Sequence, residues 1–368
     1  MALPFLLAGA AIAAGIFGIA KGAKSVSNNR EAQELNEKAL RVYEEAREYL
    51  EHCRELATSA LSELGEIKLR SWSVQLGQFV ALAGKVTEVH VSGGAAVDEY
   101  RMAVIGKEEL LEMRGISLNA RAVVAGGLKS LGAGALAGVA AYGGTMMFAS
   151  ASTGTAISAL TGAAATNATL AWLGGGSLAA GGLGIAGGAA VLGGVVVAPT
   201  LAVGGMLMEA KSRQNLAEAK ANYAKARSAA EEMNTTASML KAIADVAELF
   251  SDAIREMNVR MDRVLQRLDL ALKEAEAAQS RKIGYKIWQF MYGLIGRKPP
   301  LKYRDLNRLQ QQWLHLAYAY AQTLKKLLET PILKDDGDIN ESSHETLEEF
   351  GQFLLKVAEQ DTTYDEVL

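Results

Sequence analysis

Residues able to do catalytic or metal chemistry are few and scattered. The histidines are His52, His90, His315 and His344, and the single cysteine is Cys53. No His, Cys and carboxylate cluster has metal-ligand spacing, so a zinc site is not expected. Asp336, Asp338 and Asn340 imitate the start of a calcium loop. Glu341, however, stands where that loop needs Gly, and Leu347 where it needs its bidentate Glu. Gly182, Gly184 and Gly187 satisfy the G-x-G-x-x-G fingerprint, which carries meaning only between a strand and a helix. Here it follows a run of Gly and Ala, where such a match arises by chance. Gly22, Ala23, Lys24 and Ser25 carry one residue too many to be a phosphate-binding loop. The expectation is a protein that is not an enzyme, with no catalytic, cofactor or metal residues. Cys53 sits at an apolar position of a helical pattern, which suits packing rather than reactivity.

The chemistry that is present belongs to membranes. From Ser130 to Met208 there are 79 residues without Asp, Glu, Lys, Arg or His. As helix this run would trace roughly 118 Å, up to about four crossings of a ~30 Å hydrocarbon core. Its apolarity rests on Gly, Ala, Ser and Thr more than on large side chains. Small residues let helix backbones approach closely, so Gly134 with Gly138 and Gly184 with Gly188 are candidate packing contacts. A second uncharged segment, Ala2 to Ala20, precedes Lys21 and Lys24, with small residues at Ala10, Ala14, Gly18 and Gly22 on one helical face. A secretory signal puts its cations before the apolar run, so a retained membrane helix or hairpin arm is expected here, with a cleaved signal or a buried helix of a soluble protein as the alternatives. A third candidate is Arg281 to Pro300, where Tyr285, Trp288, Phe290 and Tyr292 lie among Arg281, Lys282, Lys286, Arg297 and Lys298. Aromatics flanked by cations suit the headgroup region, and equally an aromatic knot at a domain corner.

These segments need elements to position them. From Asn28 to about Val91 a helix is predicted, with Leu35, Ala39, Val42, Ala46, Tyr49, Cys53, Leu56, Ala60, Leu64 and Ile67 as a heptad seam. Ser92 to Gly94 break it, and a shorter helix follows from about Ala95 to Asn119. Beyond the uncharged run a second seam reads Ile243, Ala247, Phe250, Ile254, Met257, Met261, Val264, Leu268 and Ala271. Antiparallel pairing of the two long helices would bring the ends of the insert together, as a hairpin requires. Further helices are predicted from about Asp305 to Leu328 and Glu341 to Val357, ending in an acidic stretch that can serve as a solvated face or as a docking site for an unidentified protein. With 37 Gly but five Pro, and 6% aromatics, the composition suits long helices. A net charge of -3 offers no field to gather nucleic acid.

The stretch from Asn167 through Trp172 and Gly174 to Gly182 resembles glycine-rich segments of bacterial membrane-associated proteins. More loosely, it is similar to the apolar cores of apolipoprotein L-like proteins. Long amphipathic helices around an apolar hairpin also resemble the α-helical pore-forming proteins of the cytolysin A kind. That resemblance implies a soluble form that exposes its apolar hairpin and oligomerises in a membrane. It supplies no catalytic residue. This chain departs from it in its apolar N-terminus and its far longer insert.

The expected fold is therefore all-α, with antiparallel coiled-coil-like helices bracketing an apolar helical membrane module. Expected divisions are an N-terminal apolar segment (1–27), a first stalk (28–120), the glycine-rich module (121–208), a second stalk (209–280), an aromatic and basic segment (281–300) and a C-terminal helical cap (301–368). Arg121 and Lys129 before the charge-free run match Lys211 and Arg213 after it, placing both ends on the cytoplasmic side with an even number of crossings. The expected function is oligomerising insertion that perturbs or permeabilises a bilayer, as in a toxin or defence effector at a bacterial inner membrane with a soluble pool. A constitutive membrane-anchored scaffold is the competing expectation. The expected partners are lipid and further copies of the chain, with neither cofactor nor nucleic acid.

Overall fold

The computed structural model describes residues 25–87, 106–128, 132–142, 216–281, 289–292, 299–334 and 338–365. About nine-tenths of these are helical, in keeping with an all-α fold. In chain order the elements are α1 (Ser25–Ser71), a π-helical turn (Trp72–Leu76), α2 (Gly77–Ala83), β1 (Val86–Thr87), α3 (Lys107–Gly126) and α4 (Gly132–Tyr142). After these come α5 (Leu216–Ser280), β2 (Leu301–Lys302), a short 3-10 turn (Tyr303–Asp305), α6 (Arg308–Glu329) and α7 (Glu341–Asp365). The chain forms two compact units, Met1–Arg47 with Ala198–Glu232, and Glu48–Val197 with Met233–Leu368.

In the first unit the beginnings of α1 and α5 bury alanine rows: Ala32, Ala39 and Ala46 on one, Ala219 and Ala226 on the other. Alanine at seven-residue spacing leaves a narrow stripe that a second helix can approach closely. Lys38 lies over the Tyr223 ring, 5.3 Å from its centroid.

The second unit holds the main core. Ser71 and Gly77, which flank the π-turn, both keep right-handed helical angles, so α1, the π-turn and α2 form one unbroken rod. Its last part is apolar nearly all round, as befits a helix in the middle of a core: Leu69, Trp72, Leu76, Phe79 and Leu82 are all buried. Gly77 is where α3 crosses, since a Cβ there would stand 2.7 Å from the Ser117 hydroxyl. The widened turn is tied on two sides, with Arg121 donating to the Ser73 carbonyl (3.4 Å) and Gln75 to Asp262 (3.2 Å). A capping box starts α6: Asn307 Oδ1 accepts from the Gln310 amide and Gln310 Oε1 from the Asn307 amide. Edge-to-face ring pairs join α6 to α2 (Phe79 with Tyr318) and to α7 (Tyr320 with Phe353). β1 and β2 pair in parallel, fastening the end of the rod to the C-terminal layer.

Three sequence expectations are corrected. The long helices of the second unit run parallel, not antiparallel. Ser71 accepts from Asn258 (2.8 Å), Gln75 donates to Asp262, Lys85 pairs with Asp269 (3.5 Å), and Glu63 pairs with Arg255. Residue numbers climb together on both partners, which only a parallel pair allows. A heptad seam buries the same residues in either direction, so periodicity could not fix the sense, and the hairpin argument chose wrongly.

The buried stripe of α1 is also turned from the expected seam. Ala39, Ala46, Cys53, Ala60 and Leu64 of the expected seam are buried, but the stripe is completed by Tyr43, Leu50 and Ala57. Leu35 and Val42 are half-buried, and Tyr49 and Leu56 are 44% and 43% exposed. Apolar residues flank the small row on both sides at seven-residue spacing, and the pattern alone did not select the side. On α5 the expected residues Ile243, Phe250, Ile254, Met257, Met261 and Leu268 are all buried. They enter a multi-helix core shared with α2, α6 and the π-turn region rather than a two-helix seam.

Finally, the rod ends at Gly84 instead of near Val91, because Gly84 and β1 turn the chain into the parallel bridge.

Candidate functional site

The charge-free run begins against the second unit, and its seat is the arrangement most relevant to function. α4 lies within the run, and its Leu136, Ala137, Ala140 and Ala141 are buried. Apart from Tyr142, α4 is made of Gly, Ala, Leu and Val, which have no side-chain polar groups, so its backbone makes the specific contacts. Leu136 presses its carbonyl onto α1 at Gly65, where an added Cβ would stand 1.9 Å from that oxygen. Only glycine leaves room for this approach. One turn later Lys68 reaches the C-terminal end of α4, with Nζ 3.4 Å from the Ala140 carbonyl. The same ammonium donates to the Thr330 carbonyl at the end of α6 (2.9 Å) and lies 5.7 Å from the Phe250 ring centroid. The next α4 carbonyl, that of Ala141, accepts from the Leu333 amide (2.8 Å).

Each anchor is positioned by its own neighbours. Thr330 is held by its hydroxyl, which donates to the Lys326 carbonyl (2.7 Å) and lies 3.0 Å from Thr346 Oγ1 on α7. Leu333 is set by its antiparallel bridge to Ile339, closed by the Asn340 amide on the Ile332 carbonyl (2.7 Å). Lys68 is completely buried and receives carbonyls, not a carboxylate. Burial pushes it down to about 7, since an ammonium out of water is disfavoured unless an opposite charge repays it. The two acceptors lie at the C-terminal, negative ends of α4 and α6, and the Phe250 ring adds a further favourable contact.

Two other polar clusters stand apart from this seat. Lys325 on α6 pairs with Glu109 on α3 (2.7 Å) and with Glu329 (3.9 Å), beside a groove of about 400 Å³. Burial raises Glu329, and Glu112 and Glu109 add to the effect while Lys325 opposes it. Tyr303 Oη lies 2.8 Å from His315 Nε2, and burial raises the tyrosine and lowers the histidine. Both clusters join neighbouring elements. Among the described residues no group of three or more His, Cys, Asp or Glu is placed to hold a metal, and no helix is long and apolar enough to cross a membrane.

Of the packing residues named from sequence, Gly134 and Gly138 lie in α4, and Gly138 is buried. Ala14, Gly18, Gly22, Trp172, Gly184 and Gly188 lie outside the described residues, as do Tyr285 and Trp288 of the aromatic segment. Phe290 is 68% exposed beside the equally open Met291, and Tyr292 is half-buried. The sequence reading missed Gly65 and Lys68. A signal was available: Leu61, Leu64, Lys68 and Trp72 step by threes and fours, which puts a lysine on a buried stripe. Family models, curated proteins and solved structures contain no match to this chain.

Proposed function

We propose that the chain is a conditionally inserting membrane protein, whose charge-free run from Ser130 to Met208 enters a bilayer, oligomerises there and perturbs or permeabilises it. The observation that carries this reading is the seat of α4. The first helix of the run is packed as core of a body whose surface bears ion pairs such as Arg70 with Glu66 and Arg260 with Glu256. A run that starts as protein core has a water-compatible form to leave, which an obligate membrane anchor does not need. The length of the run supports it too, because an apolar surface of that size must be covered by protein or lipid. Exposed Phe290 and Met291, among basic residues of the sequence, supply a surface suited to anionic headgroups. The setting proposed is a bacterial inner membrane, reached from a soluble pool.

Dye-loaded liposomes test the reading. Purified protein is expected to release the dye, and Ala180→Arg to release far less at equal concentration. An arginine near the middle of an inserted segment opposes insertion by about 2.5 to 3.5 kcal/mol, roughly a hundredfold in an equilibrium. Equal release by both proteins, or none from the parent at any lipid composition, would leave a membrane-anchored scaffold as the better reading.

A further inference from the structure

We propose that Lys68, together with the Ala140 and Thr330 carbonyls it bridges, is a latch: α4 leaves its seat ahead of the rest of the fold, and hydration of the Lys68 ammonium favours the opened state. The inference rests on the membrane-inserting reading for its purpose, but its physics stands on the seat alone. Three features define it.

The first is that the polar contacts of α4 run through its backbone alone, while its side chains Leu136, Ala137, Ala140 and Ala141 join the apolar cluster of the unit. Gly65, Lys68 and Leu333 meet α4 through its backbone, and the interlocking aromatic pairs of the unit lie elsewhere, on α2, α6 and α7. Neither the Phe79 with Tyr318 pair nor the Tyr320 with Phe353 pair includes a residue of α4.

The second is the placing of the charge. The cation belongs to the rod and the segment that covers it is uncharged, so opening returns an ammonium to water and removes no ion pair. Held down near 7, seated Lys68 is a neutral amine above that pH, and opening lets it take up a proton and carry its charge in water.

The third is that nearby charged groups are already engaged. On α1, Glu66 pairs with Arg70, and Glu63 with Arg255 of α5, which also binds Asp252. On α6, Lys325 pairs with Glu109 and Glu329, and Lys326 with Glu349 of α7. α4 has no titratable group but Tyr142. Burial is accordingly what holds Lys68 down near 7.

The sign of the pH dependence follows. Lys68 sits near 7 when α4 is seated and at the ordinary lysine value, about 10.4, once hydrated. Between those values the opened form binds one more proton than the closed form. Docking is therefore strongest above about 10.4 and weakens as pH falls, with opening rising about tenfold per pH unit until it levels off below about 7.

Hydrogen exchange on the full chain in water tests this, with protection corrected for the intrinsic rate at each pH. The α4 amides are expected to be less protected than the α5 amides around Met261, and to lose about twentyfold in protection from pH 9 to pH 7.5. In Lys68→Met the α4 change over that range is expected to be under threefold. Gly65→Ala, which places a methyl against the Leu136 carbonyl, is expected to strip α4 of protection at every pH while α5 keeps its own. Equal protection of α4 and α5, no pH dependence in the parent, or the same dependence in Lys68→Met would each overturn the latch. Liposome leakage is read separately: a latch that behaves as described in a protein that never causes leakage refutes the membrane reading and not the latch.

Discussion

Gly65 and Lys68 sit one turn apart on α1 and do opposite things for α4. Gly65 gives close approach, and a single methyl there meets the Leu136 carbonyl at 1.9 Å. Alanine is the better helix former by up to about 1 kcal/mol, yet overpacking a close contact commonly costs about 1 to 3 kcal/mol. Gly65→Ala is thus expected to be net destabilising, with a lowered urea midpoint and an unchanged far-ultraviolet helical signal. A midpoint equal to or above the parent's would show that α4 is not held there. Lys68 gives two hydrogen bonds and withholds a counter-charge. Neither role was legible from composition: a lysine and a glycine on a charged helix look like surface residues, and only their step from Leu61 and Leu64 hinted at burial. Cys53 was legible because a thiol among regularly spaced Ala is apolar by context, and it is buried and unpaired.

Between α1 and α5, the existence of long apolar stripes was plain from the 3.5-residue repeat, and the side and the direction were not. Leu50 is 5% exposed and Leu56 is 43% exposed, although both lie one step from the same alanine row. The register is testable by a matched pair. Leu50→Asp is expected to cost several kcal/mol, since it buries an unpaired carboxylate, whereas Leu56→Asp should stay within about 0.5 kcal/mol, as surface changes do. Equal losses in chemical denaturation would restore the expected seam. Ile254, completely buried on α5, belongs with Leu50: Ile254→Asp is expected to lower the melting temperature sharply. The parallel sense depends on particular polar pairs, Gln75 with Asp262 and Asn258 with Ser71, whose partners are 187 residues apart in sequence. No local pattern announces a pairing of that kind.

For the molecule as a whole, the parallel sense of α1 and α5 leaves no adjacent helix ends for a hairpin to close between. α4, inside the uncharged run, is seated on α1 at Gly65 and Lys68, and that is how residues of a run with no charge lie inside a charged protein. The all-α class followed from sparse proline and long periodic stretches; the seating of α4 did not, because Gly and Ala repeats carry little information about what they pack against. The central claim, entry of the run into lipid, is most directly measured by depth. A fluorescent label on Ala180→Cys, in a chain whose Cys53 is replaced by Ala, is added to vesicles containing anionic lipid. A matching label on Glu248→Cys, at an exposed position of α5, serves as control. Lipid-borne quenchers are expected to quench the label at 180 while aqueous iodide does not, with the reverse at 248. Iodide quenching at 180 as strong as at 248, in vesicle-bound protein, would contradict insertion of the run.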